Sequence, residues 1–221
     1  MKIGELSQVT GVPVATVKYY IREGLLPHGE ETGDRSVSYG QGHKHRLELI
    51  RTLAETTELT IAQIKEVLDA MARFTGNVHQ ALAASLAVTH KRIESTVQSD
   101  AAPHLAEHAV DRILAAHDWT EFTPPDYRET LVSVLSDYFA LGYPEASDIT
   151  DILADAAEQL AEADLETIDA VGTGTEFTTE WAVSSVLMSE TLLSTLRRIA
   201  HTAASARHQT GESRPGGRAE D

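Results

Sequence analysis

The sequence predicts a mainly α-helical chain, on three observations. Apolar residues return at intervals of three and four along most of its 221 residues. Gly and Pro clusters separate these runs into helices of ordinary length. Strand-like alternation is confined to Arg35-Ser36-Val37-Ser38-Tyr39.

The first helix is expected from Ile3 to Val9, with Ile3, Leu6 and Val9 on its inner face and Gly11 as its stop. Pro13 fits the first turn of a second helix, where its missing N–H costs nothing. On that helix Val14, Val17 and Ile21 are expected inside, with Thr16, Lys18, Tyr19 and Arg22 outside, and Gly24 ends it. Two short amphipathic helices joined by a Gly-containing turn form a device for entering a DNA major groove. From Pro27 to Gly42 the composition turns to Gly, Glu, Ser and Asp around the alternating segment, which reads as a small hairpin, or wing.

Helix resumes near His43 with Leu47, Ile50 and Leu53 as its stripe. Thr60-Ile61-Ala62-Gln63 is a capping box opening a helix with Ile61, Ile64, Leu68 and Met71 on one side. After Thr75-Gly76-Asn77 a longer helix is expected over 78–98. Its heptad seam would be His79, Leu82, Leu86, Thr89, Ile93 and Thr96, of which only three are apolar. Four more helices follow at roughly 103–118, 126–141, 146–169 and 176–204, parted by Pro124-Pro125, Gly142-Tyr143-Pro144 and Gly172-Thr173-Gly174. Residues 206–221 lack large apolar side chains and are expected to be disordered.

Composition narrows the function. There is no cysteine, which excludes disulfides and thiolate metal or redox chemistry. No signal-peptide pattern and no apolar run of membrane-spanning length is present, so a cytoplasmic protein with no membrane partner is expected. The formal net charge is −16, but residues 1–75 hold nine Lys/Arg against ten Asp/Glu and the remainder nine against twenty-four. Charges beyond about 8–10 Å are largely screened, so the near-neutral N-terminal part can still present a local cationic face to phosphate. No nucleophile–base pair or cofactor loop stands out, and Gly172-Thr173-Gly174 lacks the strand and Lys of a phosphate loop. The expectation is no enzyme and no cofactor.

The helix-turn-helix, wing and capped helix pair, in that order, resemble the DNA-binding domain of MerR-family transcriptional regulators over about residues 1–73. The likeness rests on Ile3-Gly4-Glu5-Leu6, Gly11-Val12, Val17-Lys18-Tyr19-Tyr20, Arg22-Glu23-Gly24-Leu25-Leu26, Tyr39, Arg46-Leu47 and Leu59-Thr60-Ile61. The resemblance implies DNA contacts from Lys18 and Tyr19 on the second helix, and from Arg35 and Tyr39 on the wing. Thr16, one turn earlier, and Arg22 join the candidate contacts, and Tyr20 is open between such a contact and core packing, since it lies nearer the inward face than Tyr19. The family usually carries Arg where Lys18 stands, and Lys cannot make the bidentate fork of Arg on guanine. Ser36-Val37-Ser38 replaces the common Gly-Tyr-Arg of the wing. The resemblance further implies a homodimer joined by an antiparallel coiled coil at 78–98. It also implies promoter DNA bent and untwisted when an effector shifts the dimer, and RNA polymerase as a partner at the promoter.

The expected fold is therefore mainly α. An N-terminal winged helix-turn-helix (1–75) leads through a connecting dimerisation helix (76–100) to a C-terminal all-α bundle (101–205) and a tail (206–221). Eight of the twelve aromatics lie between Trp119 and Trp181. Trp119, Phe122, Tyr127, Tyr138, Phe139, Tyr143, Phe177 and Trp181 are the candidate walls of a pocket for a small apolar or aromatic ligand. Asp148, Asp151, Asp155, Glu158 and Glu162 form an acidic stripe opposite Ile149, Ile152, Leu153, Ala156 and Leu160, read as a solvated face. His104 and His108 have metal-compatible spacing, but exposed helix histidines are far commoner and no metal is expected. The rival reading is a ligand-independent DNA-bending or repressor protein whose C-terminal helices only dimerise.

Overall fold

The computed structural model describes residues 1–32, 36–94, 101–171 and 176–210. Among these are nine helices and one two-stranded sheet. In order they are α1 (Ile3–Thr10), α2 (Val14–Arg22), β1 (Glu30–Thr32), β2 (Ser36–Ser38), α3 (Gln41–Thr56) and α4 (Ile61–Arg73). They continue with α5 (Val78–Thr89), α6 (Ala102–Ala116), α7 (Pro125–Ala140), α8 (Ala146–Val171) and α9 (Glu176–Thr210). β1 and β2 pair antiparallel with Glu31 opposite Val37, which makes the expected hairpin. No helix among the described residues is long and apolar enough to cross a membrane.

The chain divides into two compact units. The first comprises α1–α5, the hairpin and α9. Its core gathers Leu6 of α1, Val17 and Tyr20 of α2, Leu25 and Leu26 of the following turn, Leu47, Ile50 and Leu53 of α3, and Ile64, Val67 and Leu68 of α4. Two capping devices set its register. Gly11 closes α1 in the left-handed region at φ 70°, a conformation in which a side chain would be strained. The Thr60 hydroxyl accepts from the Gln63 amide while the Gln63 side chain accepts from Thr60 N–H, completing the capping box of α4.

Three expectations about this unit change. Val9 points to solvent, and Thr10 takes the inner place because its hydroxyl donates to the Leu6 carbonyl at 2.7 Å. On α2 the inner face is rotated by one position, so that Val17 and Tyr20 are buried while Val14 and Ile21 are only partly covered. α9 does not join a C-terminal bundle. Val183 and Leu187 enter the core formed by α3 and α4, His45 contacts Glu180, and the Thr191 hydroxyl donates to the Thr56 carbonyl at 2.8 Å. Its helix runs on to Thr210, and residues 211–221 of the expected tail lie outside the described residues.

The second unit holds α6, α7 and α8 and the segment from Thr89. α6 and α7 form a helical hairpin around Ala106, Val110, Leu114 and Leu135, with Trp119, Val132 and Phe139 against it. The helix expected over 78–98 stops at Thr89. Past that point His90 stacks on Tyr127 with ring centroids 3.9 Å apart, and Arg92 pairs with Glu129 at 2.9 Å. These contacts with α7 draw residues 90–94 out of helix; 95–98 lie outside the described residues. α8 reverses the expected orientation of its stripes. Asp151 meets Arg112 at 2.8 Å and Glu158 meets His117 at 3.0 Å, whereas Ile149, Ile152, Leu153 and Leu160 are exposed. Arg112 on α6 and His117 at its C-cap are the partners, so the acidic side of α8 turns towards that helix.

Candidate nucleic-acid interface

The outer surface of α2 is built by subtraction. Val17 and Tyr20 are committed to the core, and helical spacing then fixes what remains outside. Lys18 and Arg22 are four residues apart and Thr16 and Tyr19 three apart, so the four share one continuous outer surface. Lys18 and Arg22 are exposed, Thr16 is half-buried, and Tyr19 retains 36% of its surface. The Arg22 guanidinium lies 5.2 Å from the centre of the Tyr19 ring, and its Nε donates to Glu23 at 3.0 Å. Tyr19 and Arg22 thus form a flat platform with a cationic fork over it, a shape suited to a sugar–phosphate or base edge.

Two residues expected at this surface belong to the interior. Tyr20 is 7% exposed, and its phenol is pushed above the ordinary value by burial first, then by Tyr19 and Glu55. Tyr39 is also 7% exposed, its ring meeting His43 edge-on at 5.3 Å. Each ring supplies apolar volume where the hairpin or α2 meets the helices. Arg35, the other wing residue, lies outside the described residues.

Three supports hold this surface in place. Arg51 of α3 donates from Nη1 to the Thr10 carbonyl at 2.7 Å, at the turn between α1 and α2. Arg46 Nε donates to the Leu25 carbonyl at 3.1 Å, behind the C-terminal end of α2. The Tyr39 amide donates to the Met1 carbonyl at 2.8 Å, and the Met1 amine donates to the Tyr39 carbonyl at 2.9 Å, tying β2 to the start of α1. Arg46 enters the sequence reading by name only through the Arg46-Leu47 match, and Arg51 only as one of the nine Lys/Arg of residues 1–75. Their role as struts depends on which carbonyls the fold leaves unpaired, and no local pattern marks that. At the entrance to the hairpin, a Cβ on Gly29 would lie 2.5 Å from Val37 Cγ1 and 2.6 Å from the Ser38 carbonyl oxygen, so only glycine fits.

The aromatics expected to line one pocket fall in both units. Phe177 and Trp181 are on α9 in the first unit; the other six are in the second. Phe122, Tyr138, Tyr143 and Phe177 are exposed, and Tyr127 stacks on His90. Trp119 stacks on His117 at 4.5 Å. A cavity of about 290 Å³ in the second unit is lined by Leu105, Ala109, Phe139, Pro144 and Ser147, so Phe139 alone of the eight contributes. His104 and His108 are exposed, and no group of three or more His, Asp or Glu among the described residues is placed to hold a metal.

The pattern of the MerR HTH family regulatory protein matches residues 1–71. Over 69 residues the chain is 32% identical to the HTH-type transcriptional regulator ZntR homolog of Haemophilus influenzae, covering 31% of this chain and 50% of that protein. Over 116 residues it is 31% identical to the HTH-type transcriptional regulator HmrR of Sinorhizobium medicae, covering 52% of this chain and 66% of that one. The chain therefore spans about half to two thirds of the length of these curated relatives. The crystal structure of SCO5550 from Streptomyces coelicolor A3(2) is similar with a TM-score of 0.66 and 28% identity, over 94% of this chain and 97% of that one. The helices, hairpin and outward edge of α2 agree with the family matched at the same residues: residues 1–71 are a helix-turn-helix domain of the MerR family.

Proposed function

We propose that the chain is a sequence-specific DNA-binding transcriptional regulator, acting in the cytoplasm as a homodimer on double-stranded promoter DNA with RNA polymerase as its partner there. The observation that carries this reading is the outward edge of Lys18, Tyr19 and Arg22 on a helix locked from behind by Val17 and Tyr20. Thr16 adds a hydroxyl beside it, and Arg35 extends the contact from the wing. One such module makes few base contacts, whereas two related by symmetry read a pseudo-palindrome. Titrating fluorescent duplexes from the chain's own promoter at several salt concentrations tests the reading. Nanomolar, salt-sensitive binding that competitor DNA does not abolish is expected; equal affinity for every sequence would overturn it.

The regulator responds to a small apolar or aromatic effector and distorts the promoter. Bending a site of this size costs roughly 1–6 kcal/mol, which an effector offsets only through differential affinity for the distorting state. A complete switch needs about a 10⁴-fold preference. The cavity beside Phe139 is the favoured effector site, and at about 290 Å³ it suits a compact ligand. The exposure of Phe122, Tyr138, Tyr143 and Phe177 favours the rival, a ligand-independent bender or repressor. Adding small aromatic amphiphiles decides between them. A change in Trp fluorescence together with DNA affinity supports the effector reading, and no change in either supports the rival.

A further inference from the structure

α9 has two halves with different surroundings. Up to Thr191 it is fastened to the first unit through Val183, Leu187 and the hydrogen bond to Thr56. Beyond that, Leu192, Leu196 and Ile199 are 63%, 61% and 60% exposed, and Leu193 is also bare. A helix of this length without tertiary packing is marginal in water. Ser189, Leu192, Leu196, Ile199 and Ala203 recur at alternating steps of three and four, the seam of a coiled coil, with Leu193 and Ala200 flanking it. Every charge nearby, at Glu190, Arg197, Arg198 and His201, falls on positions turned away from that seam.

We propose that the distal half of α9 is the dimer contact, pairing antiparallel with α9 of a second copy. The order of side-chain sizes selects both the occupant and the direction. Antiparallel pairing centred between Leu196 and Ile199 sets Leu192 against Ala203 of the second copy and Leu196 against Ile199 of the second copy. Large then meets small at the ends, and the helices stay evenly spaced. Parallel pairing would stack Leu on Leu at one end and Ala on Ala at the other, forcing the helices apart. α5, where the family resemblance puts the coiled coil, ends at Thr89 and cannot supply the same length.

The inference rests on the homodimer of the proposed function, and its geometry also suits the proposed work on DNA. The two Leu187 anchors would stand about 21 residues apart along the paired helices, roughly 32 Å at ~1.5 Å per residue. Half-sites one DNA turn apart are separated by roughly 34–36 Å. Because α9 is packed on α3 and α4, a shift along the seam would move both reading heads together.

The test uses the full chain without DNA. Sedimentation should show a dimer that Leu196→Asp and Ile199→Asp convert to monomer, with the thermal midpoint of the first unit retained and helix content lost only to the extent of the distal half of α9. The chain has no cysteine, so introduced thiols report without background. The double variant Leu192→Cys/Ala203→Cys should form an interchain disulfide under mild oxidation, and neither single variant should. A monomeric wild-type chain, a dimer that survives both Asp substitutions, or efficient crosslinking of each single variant would overturn the proposal. A dimer crosslinked as expected that binds no duplex would uphold the pairing and overturn the DNA reading.

Discussion

Arg51 donates to the backbone carbonyl of Thr10 across the turn between α1 and α2, at 2.7 Å. That carbonyl lies at the end of α1, where helix acceptors lose their internal partners. The same guanidinium lies 3.3 Å from where a Cβ on Gly11 would stand. The turn that aims the reading helix is therefore clamped from α3. Arg51→Ala should lower unfolding free energy by roughly 1–2 kcal/mol. It should also weaken DNA binding, with Arg51→Lys recovering part of both. Urea denaturation beside a binding titration reads the pair; unchanged values in both would remove Arg51 from this role.

Lys18 and Tyr20 are neighbours with opposite commitments. Lys18→Ala should leave the thermal midpoint within about 1 °C while weakening operator binding and reducing the slope of log K against log salt by about 0.9, the signature of one lost phosphate contact. Tyr20→Phe keeps the buried ring and should change DNA affinity little. Tyr20→Ala empties core volume and should cost roughly 3–5 kcal/mol of stability. Loss of operator affinity in a stably folded Tyr20→Phe would return the phenol to the interface.

Gly29→Ala places a methyl against Val37 and the Ser38 carbonyl, where no room exists. The hairpin must shift, at about 1–3 kcal/mol. Amide exchange measured by NMR should accelerate at Glu31 and Val37 before it does in α4.

Thr60→Ala removes the side-chain acceptor of the α4 capping box and should destabilise the first unit by about 1 kcal/mol. Thr60→Ser should be close to neutral. Chemical denaturation of the three proteins side by side distinguishes a cap from a merely exposed threonine.

Burial raises the pKa of Asp164 above the ordinary carboxylate value. The folded state thus holds that proton more tightly than the unfolded chain does. Its contribution therefore favours folding at acidic pH and is lost as pH rises through the folded pKa. Asp164→Asn should raise the thermal midpoint at pH 7 and have a smaller effect near pH 3. A larger gain at the acidic end would contradict the sign.

Local rules carried much of the first unit. Gly11, the Thr60–Gln63 box and the Leu47–Ile50–Leu53 stripe each act within a few residues and stand in the structure as read, while Pro13, read into the first turn of α2, stands one place earlier as its N-cap. Tyr20 and Tyr39 were not decided locally, because an aromatic with a polar tip satisfies either an interface or a core; in the fold both rings are 7% exposed. The helix read over 78–98 stops at Thr89, beyond which His90 and Arg92 meet Tyr127 and Glu129 of α7.

By itself the sequence determined the helical class, the order of the N-terminal elements and the Lys18–Tyr19–Arg22 edge, because these follow from periodicity, caps and turn chemistry. Tertiary structure decided that α9 packs on α3 and α4, that α8 turns its carboxylates towards Arg112 and His117, and that Arg46 and Arg51 are struts. An amphipathic helix specifies a face to bury but not its partner. That choice depends on shape and charge complementarity between segments far apart in the chain, as between Glu180 and His45.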